Sequence, residues 1–92
     1  MITKCMEIST GHITEETAKR LNDLDGRWNM DLSIYDKEEF GWWIYVNDYI
    51  KKNDCIPDDL WQCIQYAKKN GCGWLCLDCD AEVDSEIPTY EW

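Results

Sequence analysis

A chain of 92 residues with 19 acidic against 9 basic side chains, a net charge of −10, disfavours direct contact with nucleic acid or anionic lipid and favours basic partners. At this length the core is small and one domain, residues 1–92, is expected; six tryptophans and five tyrosines supply much of the area it can bury. No run approaches the roughly 20 apolar residues of a membrane span, and the opening residues MITKCMEIST lack the basic-then-apolar layout of a signal peptide, so the expected location is the cytoplasm, with thiols reduced.

Residues 3–9 alternate as a short strand, with Met6 and Ile8 on one side and Cys5 and Glu7 on the other. A helix is expected over 14–25. Thr14 is its N-cap, Glu15 and Glu16 suit the positive end of the dipole, and Ile13 can staple onto Ala18. Ala18, Leu21 and Leu24 form its apolar stripe, and Gly26 is read as the stop. Residues 28–36 alternate cleanly, Trp28, Met30, Leu32 and Ile34 against Asn29, Asp31, Ser33 and Tyr35, which predicts a half-buried strand. After a polar turn, KEE, residues 40–46 form its hairpin partner. Phe40, Trp42, Ile44 and Val46 face the core, and Trp43 and Tyr45 face away.

The segment IPDDLWQCIQYAKKNG is the clearest helix, expected over 57–70. Pro57, Asp58 and Asp59 suit its start and Lys68 and Lys69 its end, while Leu60, Cys63, Ile64 and Ala67 fall at i, i+3, i+4 and i+7. A last strand follows at 73–78. Residues 78–92 form an acidic tail, with Asp78, Asp80, Glu82, Asp84, Glu86 and Glu91 and no Lys or Arg. The order strand, helix, strand, strand, helix, strand matches a ferredoxin-like βαββαβ sandwich, a four-stranded antiparallel sheet with two helices on one face. The same elements in another strand order are the alternative.

Chemistry-bearing motifs are few. Cys72, Cys76 and Cys79 are spaced C-x3-C-x2-C within GCGWLCLDCD. Zinc needs ligands converging across a tight turn, whereas Leu77 and Asp78 between the last two favour no turn, and a strand reaching residue 79 would point them to opposite faces. A redox pair needs C-x-x-C at a helix start. The cysteines are therefore read as small apolar residues of the last strand. His12, the only histidine, has no evident orienting acid for nucleophilic catalysis with Cys5 and is read as a hydrogen-bonded loop residue. Asp78 and Asp80 could hold Mg²⁺ only with a third acid; a solvated edge is the simpler reading. The second sheet face would carry Cys5, Glu7, Asp31, Ser33, Tyr35, Trp43, Tyr45, Trp74, Cys76 and Asp78. So many aromatics imply a cover, either the tail through Ile87, Tyr90 and Trp92 or a partner. Aromatic sheet faces that bind RNA do so beside basic residues, which this face lacks.

The stretches STGHIT, FGWWIYV, PDDLWQCI, GCGWLCLDCD and IPTYEW together resemble a small domain-of-unknown-function family carried on bacterial plasmids, integrative elements and prophages. The resemblance covers nearly the whole chain. It implies a mobile-element origin, often alongside antirestriction and toxin–antitoxin genes, and supplies no catalytic residue; in that family the position of Cys79 need not be cysteine.

Charge and resemblance together lead to one expectation: an acidic inhibitor of the anti-CRISPR or antirestriction type, mimicking nucleic acid on the basic surface of a host-defence protein. Glu7, Asp31, Asp78, Asp80, Glu82, Asp84 and Glu86 would supply charge, and Trp43, Tyr45 and Trp74 would be apolar anchors. No catalytic residue, metal or cofactor is expected. The alternatives are an accessory protein of a toxin–antitoxin or conjugation module without DNA mimicry, and a small thiol- or metal-dependent protein.

Overall fold

The computed structural model describes residues 2–92. In chain order it contains β1 (Cys5–Ser9), a 3-10 turn (Thr10–His12), α1 (Glu15–Asn22), α2 (Leu24–Met30), β2 (Ile34–Lys37), β3 (Gly41–Tyr45), α3 (Asp58–Lys69) and β4 (Trp74–Asp78). It is a small α+β arrangement with three α-helices and one four-stranded sheet of order β1-β4-β3-β2. Among the described residues no helix is long and apolar enough to cross a membrane.

The sheet is mixed, which corrects the antiparallel ferredoxin-like sandwich expected. β2 and β3 form the anticipated antiparallel hairpin and β3 is antiparallel to β4, but β1 runs parallel to β4. The physical reason lies in β4. Leu75, Cys76 and Leu77 are all fully buried, so residues on both sides of this strand are shielded from solvent and it takes an interior position, the setting in which apolar runs replace alternation. α3 leaves and returns at one end of the sheet, where Tyr45 pairs with Trp74. Close contact of β3 with β4 depends on Gly41, because a Cβ there would stand 1.6 Å from the Leu77 carbonyl oxygen.

The strand expected over 28–36 is corrected too. Its first three residues, Trp28 to Met30, belong to α2, and β2 begins only at Ile34. Asp23 ends α1 and caps α2, its side chain accepting from the Asp25 amide at 3.2 Å. Gly26 stops nothing. It lies inside α2, where a Cβ would come within 2.7 Å of the Arg20 carbonyl oxygen, so the missing side chain lets the two short helices approach. Asp31 ends α2 with φ of 55°, a left-handed cap that Asp tolerates better than most residues. Met30 is buried, as expected, but Trp28 is 86% exposed and Leu24 75%. Phe40, expected in the core, is exposed in the hairpin turn.

The core lies between the helices and one sheet face. Ala18 and Leu21 of α1 and Leu60, Cys63, Ile64 and Ala67 of α3 pack in one cluster with Ile8, Trp42, Ile44, Leu75 and Leu77. The α3 stripe is the one its spacing predicted. Asp59 ties the two helix starts together: its carboxylate accepts the Thr14 amide at 2.7 Å and the buried Thr17 hydroxyl at 2.8 Å. Thr14 itself caps α1 as expected, accepting from the Thr17 amide at 3.2 Å. No buried side-chain polar atom among the described residues lacks a partner.

Candidate protein-binding site

The sheet face turned away from the helices is built by strand alternation. Residues in register share a side, so Cys5 and Glu7 of β1, Trp74, Cys76 and Asp78 of β4, Trp43 and Tyr45 of β3 and Tyr35 and Lys37 of β2 lie on one face. Trp74 is the hub of its aromatics, with ring centroids 5.2 Å from Tyr45 and 6.0 Å from Tyr35 at tilts of 56° and 51°. Cys5, Tyr35, Trp43 and Trp74 line an open, mostly apolar depression of about 350 Å³.

Lys37 was placed in the turn by sequence reasoning, yet it organises this face. Its ammonium donates to Asp78 at 2.5 Å and to Glu7 at 3.4 Å, and sits 5.2 Å from the centroid of the Trp43 ring. Asp78 foremost holds the Lys37 ammonium above the usual lysine range, and Lys37 holds the Asp78 carboxylate below its ordinary value, helped by the Asp80 amide. The signal that could have found it is parity: position 37 shares a side with Tyr35 if the turn begins one residue later, and Glu38, at φ of 49°, is where the turn begins.

The acidic tail is pinned, and not over this face. The Ser9 amide on outer strand β1 donates to the Glu82 carbonyl at 3.1 Å, the Tyr90 amide donates to Gly11 at 2.8 Å, and the Trp92 indole donates to Ile13 at 2.9 Å. Ile87 is buried in the core cluster. His12, 1% exposed, clips two points of the tail. Its Nε2 accepts the Asp84 amide at 2.9 Å, so the ring proton is on Nδ1, which donates to the Pro88 carbonyl at 2.8 Å. His12 is thus the hydrogen-bonded residue expected, and the aromatic face stays uncovered by the tail.

The ten residues expected at the site fall in three places. Glu7, Trp43, Tyr45, Trp74 and Asp78 share the aromatic face. Asp80, Glu82, Asp84 and Glu86 stand on the pinned tail, which meets β1 at Ser9 and the 3-10 turn at His12, and among the described residues none of these four forms an ion pair. Asp31 belongs to neither group, because it caps α2; its placement on the sheet face is corrected for that reason, and Ser33 precedes β2.

The thiols offer little nucleophilic chemistry. Burial pushes Cys63 up to about 12, with Asp59 adding to it. Desolvation also raises Cys5, Cys76 and Cys79, against a lowering by Lys37 at Cys5 and Cys76. Thiols so shifted are protonated at neutral pH, and the thiolate is the reactive form. Asp78, Cys79 and Asp80 bring ligand atoms within 4.8 Å of one another, but both Asp78 oxygens are engaged, one by Lys37 and one by the Asp80 amide at 2.8 Å.

No curated protein and no solved structure matches the chain. A family model does, over residues 5–92, a span that takes in all four strands, the face and the pinned tail. The chain belongs to the family of unknown function DUF5983, matching its C-terminal domain.

Proposed function

We propose that this domain is an acidic protein-binding inhibitor of mobile-element origin, of the anti-CRISPR or antirestriction type. In the bacterial cytoplasm it would occupy the basic surface by which a host-defence protein holds nucleic acid. The observation that carries this reading is the order of the tail. Four carboxylates without ion-pair partners among the described residues, at positions 80, 82, 84 and 86, stand on a tail tied down through backbone groups of Glu82, Asp84, Pro88 and Tyr90 and through the Trp92 indole. A loose acidic tail must lose conformational entropy on binding; a pinned one presents its charge pre-arranged, which favours affinity and steers association with a basic partner. The uncovered aromatic face adds candidate anchors, since Trp and Tyr dominate interface energetics.

The test is a panel of restriction nucleases and CRISPR effectors assayed for inhibition, with competition by DNA or RNA and a salt series. Inhibition should weaken steeply with salt. Neutralising Asp80, Glu82, Asp84 and Glu86 together to Asn or Gln should abolish it while the near-ultraviolet circular dichroism is unchanged. Asn at 84 retains the oxygen that accepts the Glu86 amide at 2.9 Å. The mimic fails if the neutralised variant inhibits as well as the parent. Salt-insensitive binding to one protein would instead favour the accessory-protein reading.

A further inference from the structure

Resting on that reading of a basic partner, we infer that the aromatic depression on the open sheet face is a receptor for one arginine side chain of that partner. Three observations converge on it. The depression is walled by Tyr35, Trp43 and Trp74, aromatic rings of the kind on which a planar cation stacks. The face already holds a cation in the same manner: Lys37 lies over Trp43 while bonded to two carboxylates. Charge on the face is incomplete, because Glu7 and Asp78 oppose the single ammonium of Lys37 and leave one negative charge over. Lys37 favours Asp78 at 2.5 Å over Glu7 at 3.4 Å, and Glu7 is 57% exposed against 13% for Asp78. Glu7 therefore remains available, two residues along β1 from Cys5, which lines the depression.

Arginine fits these demands better than lysine. A planar guanidinium stacks on aromatic faces and still presents edge N–H groups to a carboxylate, whereas an ammonium is a compact, strongly hydrated charge. A second copy of this chain is disfavoured as occupant, since each copy carries a net charge of −10 and self-association would oppose like charges.

The experiment follows the tryptophan indole N–H signals of the intact chain by NMR during titration with N-acetyl-arginine amide, N-acetyl-lysine amide and uncharged N-acetyl-norleucine amide. The arginine probe should shift the Trp74 and Trp43 indoles saturably. The lysine probe should bind about five-fold more weakly, the difference a modest cation–π preference gives, and the norleucine probe should leave the indoles unmoved. Tyr35→Ala, at an exposed edge position, and Glu7→Gln should each weaken the arginine probe by about five-fold or more while the other indoles keep their positions. No saturable shift, equal shifts with norleucine, or indole shifts that depend on protein concentration without probe would each overturn the assignment. The inhibition assays above do not depend on this outcome: loss of the arginine site would leave the tail reading standing, and failure of the tail reading would leave these titrations unchanged.

Discussion

Replacing His12 with alanine removes the clip that holds the tail. The imidazole is 1% exposed and makes two hydrogen bonds, to the Asp84 amide at 2.9 Å and the Pro88 carbonyl at 2.8 Å. Each bond contributes about 1 kcal/mol net, and emptying the buried ring site adds a packing loss of about 1 kcal/mol more, for a total of about 3 kcal/mol. A domain of this size is stable by roughly 5–14 kcal/mol, so the loss is a large share, and it corresponds to a fall in Tm of about 12–24 °C. Thermal unfolding followed by circular dichroism gives the magnitude. Hydrogen exchange gives the place: the Asp84 and Tyr90 amides should lose protection while those of β3 and β4 retain it relative to global stability. An unchanged Tm with Asp84 still protected would refute the clip. If the tail must be ordered to act, inhibition should weaken in step with the lost protection.

Two further outcomes are expected. Trp28→Ala should change stability by less than about 0.5 kcal/mol, as for an exposed site, whereas Trp42→Ala should lose roughly 3–5 kcal/mol, their exposures being 86% and 6%; denaturant unfolding of the two variants checks this, and equal losses would contradict the fold of residues 24–37. In a profile of Tm against pH, the depressed Asp78 carboxylate contributes above its unfolded value and loses that contribution as pH falls through its folded value, while the raised Lys37 ammonium contributes below its unfolded value and loses it as pH rises through its folded one. Asp78→Asn should therefore flatten the acid leg below about pH 4, and acid legs of equal steepness in parent and variant would show that the pair contributes nothing.

Helices and strands announced by periodicity were readable. α3 carries its stripe and dipole charges where spacing put them, and β4 shows the apolar run of a strand. Residues 28–30 were not, because Trp28 and Met30 satisfy strand alternation while Leu24 and Trp28 equally satisfy the i, i+4 spacing of a helix, and glycine at 26 reads as a terminator when its use is a close approach to Arg20. Strand direction was also hidden, since alternation assigns faces and not polarity; the faces of β1, β3 from Trp42 to Tyr45, and β4 came out right, and the direction of β1 beside β4 did not. Most of the aromatic face was foreseen by parity. Lys37 escaped through a one-residue error in the turn, and the tail clip escaped because His12 bonds backbone groups at positions 84 and 88, which leave no side-chain signature.

The parallel pairing of β1 with β4 has a consequence for how the chain reaches this state. Cys5 finds its ladder partner at Trp74 and Ser9 at Asp78, so the earliest made of these four strands is among the last to be satisfied. The β2–β3 hairpin and the α1–α2 pair are local and can form early, whereas β1 must wait for residues 74–78 and a long loop closure. During that wait β1 exposes Met6 and Ile8 with its backbone unpaired, the condition in which an edge is prone to wrong partners. Cys5, Glu7 and Lys4 place polar or charged groups beside that apolar pair, and the net negative charge of the growing chain keeps copies apart. Completion of the sheet is accordingly expected to follow synthesis through Asp78 and to limit the rate of folding, with β1 docking as the slow step.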